Sequence, residues 1–375
     1  MEQLLITIST ALLIGFLVFP VFIKLFKKRR FLDSPGGRKI HTVNTPAMGG
    51  LPLFVSAGVS LLFWLPLSAL GEIKFFLAAI SIVFVIGLRD DIIDLKAYQK
   101  LVGQIAAAAI VMTLCDIRLA AFYQYLGIGE IPLWLSYALS LFTIIVITNA
   151  YNLIDGIDGL AGSVGLVATL FFGLFFFLVN QLGMALIALS LAGALMAFLN
   201  FNWAPSKIFM GDTGSLFIGF SLAVFAIFFI EYNSTIQGQD LTFDAPIGTA
   251  VAILIVPLAD TLRVFIKRIL RGKSPMHPDR THTHHILLRL GCNHAQATGI
   301  LVTVNIIFVL LALVLRNLSD AIVIPVILLT ALALSTIIDF IFRSAIDKRR
   351  EELREEIRRN KKKQVRVVPF DKSAG

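Results

Sequence analysis

Residues 160–179 read LAGSVGLVATLFFGLFFFLV, twenty positions without one charged side chain. As an α-helix rising about 1.5 Å per residue, such a run is about 30 Å long, which matches the hydrocarbon thickness of a bilayer. It is not alone. Apolar runs bounded by charge, Pro or Gly recur near residues 4–25, 46–68, 73–88, 101–115, 132–150, 183–199, 214–231, 246–266, 297–315 and 320–342. The expected fold is therefore an all-α polytopic membrane protein with ten or eleven transmembrane helices. Composition agrees, because 57% of the 375 residues are hydrophobic and 15% charged, against about 25% charged in soluble domains. A soluble enzyme, a transcription factor and a secreted disulfide scaffold are excluded together. The two cysteines, Cys115 and Cys292, lie far apart and supply neither a disulfide framework nor a CxxC metal site.

The net charge of +9 is explained by position rather than by nucleic acid. Basic residues collect beside the apolar runs, and Lys and Arg stay on the cytoplasmic side of a span. With the N-terminus outside, thirty Lys and Arg fall in inside segments, and only Lys74, Arg118 and Arg316 fall outside. An odd span count puts the C-terminus in the cytoplasm. The first run is an uncleaved helix, since Lys24, Lys27, Lys28, Arg29 and Arg30 follow it rather than a cleavage site. Residues 1–343 read as one membrane domain with cytoplasmic active-site loops. Residues 344–375, with REELREEIRRNKKK at 350–363, read as a basic cytoplasmic tail.

Four inside segments break the apolar pattern with residues that are costly at membrane depth, which marks them as functional. GLRDDIIDL at 87–95 places Asp90 and Asp94 on one helix face, with Asp91 about 100° around. Three clustered carboxylates call for a cation, and a hard ion such as Mg²⁺ suits oxygen ligands and substrate phosphates. TNAYNLIDGIDGLAG at 148–162 spaces Asn149, Asn152, Asp155 and Asp158 three apart. Helix capping by Asp158 is the plain alternative there. FNWAPSKIFMGDTGSLFIG at 201–219 flanks Asp212 with glycines at a helix start, which suits metal ligation by the acid and phosphate binding by backbone amides. KRILRGKSPMHPDRTHTHHILLRLG at 267–291 gathers His277, His282, His284 and His285 among Arg and Lys, Arg280 included. With no Cys beside it, this loop reads as a clamp on a diphosphate rather than a zinc site.

With RKIHTVNTPAMGG at 38–50 added, these motifs stand in the order seen in the polyprenyl-phosphate N-acetylhexosamine-1-phosphate transferases, that is, glycosyltransferase family 4. The chain resembles this integral-membrane superfamily over nearly its whole length. It looks like the WecA/TagO-like branch, related to MraY, because the HxHH pattern and Asp94 depart from the contiguous His triplet and Lys of MraY-type enzymes. The resemblance implies transfer of a sugar-1-phosphate, GlcNAc-1-phosphate above others, from a UDP-sugar to undecaprenyl phosphate with release of UMP. That is a first membrane step of cell-surface polysaccharide synthesis at the bacterial cytoplasmic membrane.

Carried over by motif, Asp212 is similar to the family's Mg²⁺ ligand, with Mn²⁺ as a substitute ion, and Asp90 and Asp91 match acids near the metal and the lipid phosphate. Asn152, Asp155 and Asp158 match nucleotide and diphosphate contacts. Asn202 and Phe209 match the nucleotide pocket, and His282, His284, His285 and Arg280 the diphosphate or sugar contacts. Asp90, Asp91, Asp155, Asp158, His284 and His285 are thus the catalytic candidates, with Lys100 and Thr45 added to the substrate-binding set. The partners are the two substrates and the membrane, without nucleic acid, and a homodimer is left open. Two rival readings are an intramembrane prenyltransferase with an Asp-rich Mg²⁺ site, which needs neither GDTGS nor the His loop, and a transporter, whose charges belong at the midplane.

Overall fold

The computed structural model describes residues 2–29, 45–120, 131–238, 240–270, 272 and 282–365. His277, Arg280, most of the first-loop motif and the last ten residues lie outside the described residues.

Each of the eleven apolar runs is occupied by helix: α1 Glu2–Arg29, α2 Gly50–Trp64, α3 Ile73–Ile93, α4 Ala97–Leu114, α5 Leu133–Ile154, α6 Leu160–Leu178, α7 Leu182–Asn202, α8 Gly211–Thr235, the pair α9 Pro246–Ile253 and α10 Ile255–Leu270, α12 His294–Val314 and α13 Asp320–Val365. A short extra helix, α11 Thr283–Arg289, carries the His motif. No β-strand occurs among the described residues. Among them, eight helices are long and apolar enough to cross a membrane, or nine with α9–α10 taken as one span. The two remaining runs differ for visible reasons. The α2 helix has only 15 residues, and α3 ends in Arg89, Asp90 and Asp91.

The α8 helix is the hub. It packs against α3 and α5, while α7 packs against α1 and α6. Phe217, Phe220, Phe225 and Phe229 on α8 are fully buried, and Phe229 meets Phe175 of α6 edge-on at 4.7 Å. Lipid tails are as apolar as these rings, so close packing and internal hydrogen bonds hold the helices together. The outer faces are apolar as well: Leu62 is 85% exposed and Val314 79%. In water such a surface would aggregate, whereas in lipid it is the solvated surface.

The 246–266 run is not one straight helix. The chain bends by 81° between α9 and α10. The cause is Pro257, which has no N–H to donate to the carbonyl of Ile253 four residues back. Buried Asn305 of α12 supplies that bond instead, its Nδ2 lying 3.0 Å from the Ile253 oxygen. At the other end Asp320, the first residue of α13, accepts from the amides of Gly248 at 2.6 Å and Ile247 at 3.2 Å. An unpaired backbone group is expensive in a bilayer, so the two side chains satisfy open groups at the two ends of α9. The break aims α10 at the His helix.

Candidate active site

Three helix ends carry the acidic and amide motifs to one place. The α3 C-terminus brings Asp90, the α5 C-terminus Asn152, and the α8 N-terminus Asp212. Lys100, in the first turn of α4, pairs with Asp90 and lies 3.1 Å from Asp212 Oδ2. Asn152 Nδ2 donates to Asp212 Oδ1 and stands 2.7 Å from Ser215 Oγ. Residues distant in sequence thus converge on one carboxylate. Gly211 makes the turn in front of it with φ of 71°. A Cβ there would lie 1.9 Å from the Ala47 carbonyl and 2.6 Å from Asp91 Oδ2, so only glycine fits.

Asp91 has a different task from the expected one. Its Oδ1 accepts from the Asp212 amide at 2.8 Å, and its Oδ2 accepts from the Thr213 amide at 2.9 Å and from the Thr213 hydroxyl. It caps α8 from α3, satisfying donors that the first helical turn leaves open. Those two amides are therefore taken and do not form the phosphate cradle that GDTGS suggested. The shared face expected for Asp90 and Asp94 is absent too. The α3 helix stops at Ile93, and Asp94 turns away with φ of 43°, a left-handed conformation that Asp tolerates.

The ladder from Asn149 to Asp158 divides for the same kind of reason. The α5 helix ends at Ile154. Asn149 donates to Gln104 of α4 at 2.8 Å, while Asp158 accepts from the Ser206 hydroxyl at 3.0 Å and faces His294 Nδ1 at 3.4 Å. Burial alone would raise the Asp158 carboxyl, but His294 and Ser206 hold it below the usual range. The capping alternative also fails, since the position before α6 is Gly159 with φ of 78° and Asp158 is bonded elsewhere. Asn202 is buried and bridges the Gly159 amide and the Ile208 carbonyl, both at 2.8 Å. It braces the loop rather than facing a ligand.

Asp155 sits beside these groups. Burial first, then the charges of Asp212 and Asp91, push its carboxyl up to about 8, against which the Gly211 amide bond acts only in part. Thr45 is buried. The chain after it runs beside Phe209, with Phe209 N to Pro46 O and Gly49 N to Phe209 O both 2.8 Å. Both candidates therefore flank the Gly211 turn.

The His helix closes the site from another side. Nε2 of buried His284 lies where a Cβ on Gly156 would come within 2.4 Å. The rings of His284 and His285 are 4.3 Å apart. Burial and then the neighbouring His285 push His284 down to about 3, so at neutral pH it is an uncharged ring and not the cationic donor that a clamp implies. A residue the sequence reading overlooked, Asp260 of α10, holds His282 Nδ1 at 2.7 Å. His294 and Ser206 were overlooked as well. Asp260 and Asp339, which pairs with Arg263 and Lys267, had a signal: each is an acid inside an apolar run.

The donor set bears on the expected metal. Among the described residues no three His, Cys, Asp or Glu side chains lie close enough to hold an ion unaided. A pair of carboxylates suits Mg²⁺, which takes one or two of them and completes its shell with water and substrate phosphates. The carboxylates that Lys100 now bridges, Asp90 and Asp212, are the two that offer this.

A partly open apolar cleft adjoins the His helix. Ile154, Leu160, Phe308 and Leu334 line it, and His284 and Asp260 stand at its polar part.

Residues 73–230 match glycosyl transferase family 4. The decaprenyl-phosphate N-acetylglucosaminephosphotransferase of Mycolicibacterium smegmatis is 34% identical over 283 residues, 70% of each chain. The undecaprenyl-phosphate alpha-N-acetylglucosaminyl 1-phosphate transferase of Escherichia coli (strain K12) is 30% identical over 302 residues, 78% of this chain and 80% of that one. A probable enzyme of that kind from Bacillus subtilis (strain 168) is 29% identical over 322 residues, 84% of this chain and 86% of its own. The match spans α3 to α8, the helices whose ends build the Asp212 cluster, and it sets aside the prenyltransferase and transporter readings. The chain belongs to glycosyl transferase family 4.

Proposed function

We propose that the protein transfers N-acetylglucosamine 1-phosphate from UDP-N-acetylglucosamine to undecaprenyl phosphate. An oxygen of the lipid phosphate attacks the sugar-bearing phosphorus, the bridging P–O bond to the nucleotide breaks, and UMP leaves. The observation that carries this is the convergence of Asp90, Lys100, Asn152 and Asp212 at one end of the helices, beside the His helix. The relatives' names supply the sugar and the lipid.

Reaction between two anions depends on positioning and charge neutralisation. Asp212 and Asp90 would hold Mg²⁺, which would supply charge neutralisation at the diphosphate. Asn152 fixes the orientation of the Asp212 carboxylate, and Asp91 fixes the backbone beneath it. Lys100 balances Asp90 and Asp212 and is placed to donate to a phosphate oxygen. The apolar cleft by His284 suits the lipid tail. We read this end as facing the cytoplasm, where nucleotide sugars are made, a reading that the thirty-to-three basic asymmetry supports. Location in the bacterial inner membrane and a role in starting a cell-surface polysaccharide follow from the same reading.

The test is UMP release by purified protein given undecaprenyl phosphate, Mg²⁺ and a panel of UDP-sugars. Release with UDP-N-acetylglucosamine alone or fastest is expected, and no release with any donor refutes the proposal.

A further inference from the structure

Asp260 has no part in the chemistry above, yet the structure surrounds it with partners. It is 5% exposed on α10. Its Oδ2 pairs with His282 Nδ1 at 2.7 Å, and its Oδ1 accepts from the Thr283 amide at 2.7 Å and the Thr283 hydroxyl at 2.6 Å. His282 occupies the cap position of α11, and its own side chain caps nothing. Asp260 supplies that cap from another helix. Behind it, Arg263 lies 3.8 Å from Oδ1, donates to the Thr283 hydroxyl at 3.2 Å, and pairs with Asp339 of α13, as does Lys267. Beyond Asp260, the groups against the His282 ring are His284, 5.6 Å away at 14°, and His285, 6.4 Å away.

A carboxylate can only accept, so the nitrogen facing it must carry the proton. The hydrogen bond at one ring nitrogen sets the state of the other. A proton held at Nδ1 keeps that nitrogen from being the bare one in a neutral ring, and the bond fixes the ring plane. That plane is nearly parallel to His284, whose Nε2 sits over Gly156 in the loop between Asp155 and Asp158.

We infer that Asp260 is a positioning residue for the transfer reaction: acting through His282, it fixes the ring proton on Nδ1 and the start of α11, and so sets His284 against the Asp155–Asp158 loop. The kinetic consequence rests on the transferase reading, while the ring state does not.

The test is Asp260→Asn in the full-length protein. The amide keeps the size and can still accept from Thr283, but its NH₂ group donates to His282 Nδ1 and moves the ring proton to Nε2. The chain has six histidines, so ¹⁵N-histidine NMR in detergent, with His282→Gln to assign the signal, reads the ring directly. Expected in the wild type is a protonated Nδ1, whatever the state of Nε2, and in the Asn variant a bare Nδ1. Turnover of the variant should fall about tenfold to a hundredfold with donor KM little changed. Adding Asp260→Asn to His282→Gln should cost nothing more.

A bare Nδ1 in the wild type overturns the inference, as does full turnover in a variant whose ring has switched. Should the Asn variant fail to fold, the wild-type spectrum and Asp260→Glu decide: Glu should keep the Nδ1 proton and recover part of the turnover. A Glu variant with the proton in place and no more turnover than His282→Gln overturns it. A wild-type protein inactive with every UDP-sugar refutes the transferase reading, and the spectra still judge the Asp260–His282 pair.

Discussion

Gly156→Ala isolates the contact between the acidic loop and the His helix. Gly156 is not among the residues with positive φ, so alanine is free of backbone strain there, and only the added methyl matters. That methyl would stand 2.4 Å from His284 Nε2, 3.0 Å from Cε1 and 3.2 Å from Cδ2. An ordinary contact needs about 1 Å more. The His284 ring is 2% exposed and packed between His282 and His285, so it has little room to retreat. Overpacking of this kind costs about 1–3 kcal/mol. If the cost falls on the reacting arrangement, kcat/KM drops about 5- to 150-fold. The assay is UMP release in the Gly156→Ala, His284→Ala and double variants. The penalty of Gly156→Ala should vanish once His284 is alanine, because the clash has lost its partner. An equal penalty in both backgrounds, or none in the wild type, refutes the reasoning.

Asp212→Asn should reduce transfer to background and weaken Mg²⁺ dependence without lowering the melting temperature by more than a few degrees, and wild-type rates at saturating Mg²⁺ count against it. Asn305→Leu leaves the Ile253 carbonyl unpaired at the bend and should cost about 0.6–2 kcal/mol, read as a lower melting temperature in detergent; no change removes its proposed bracing role. Because the folded Asp155 carboxyl is raised to about 8, the native state binds the proton more tightly than the unfolded chain, and its contribution to stability falls as pH rises from about 4 to about 8. Thermal unfolding of metal-free Asp155→Asn should therefore show a gain over wild type that grows across that window, and equal gains at pH 5 and 8.5 contradict it. A reporter fused after Arg343 should read cytoplasmic and one inserted near Gln237 external, and the reverse result moves the site away from nucleotide sugars.

Much of the molecule is written locally. The helices follow from uninterrupted apolar runs, because a backbone in hydrocarbon must pair with itself, and that requirement needs no knowledge of neighbours. Asp90, Asn152, Asp155, Asp212 and the histidines stand out in the chain because polar residues are costly beside such runs. What each of them does was settled by other helices. Asp90 and Asp91 are adjacent in sequence, yet one pairs with Lys100 and the other caps α8, a division set by the packing of α3 on α8. The ladder from Asn149 to Asp158 fits a helix on paper and breaks at Ile154, and Asn149, Asn152 and Asp158 find different partners on either side of the break. Asp260 lay unnoticed inside an apolar run, and its meaning came from the bend at Pro257, which turns α10 toward His282. Hydrophobic thickness is a property of a segment and can be read along the chain; the partner of a carboxylate depends on which helix end lies within about 3 Å, and that is set by how the helices pack.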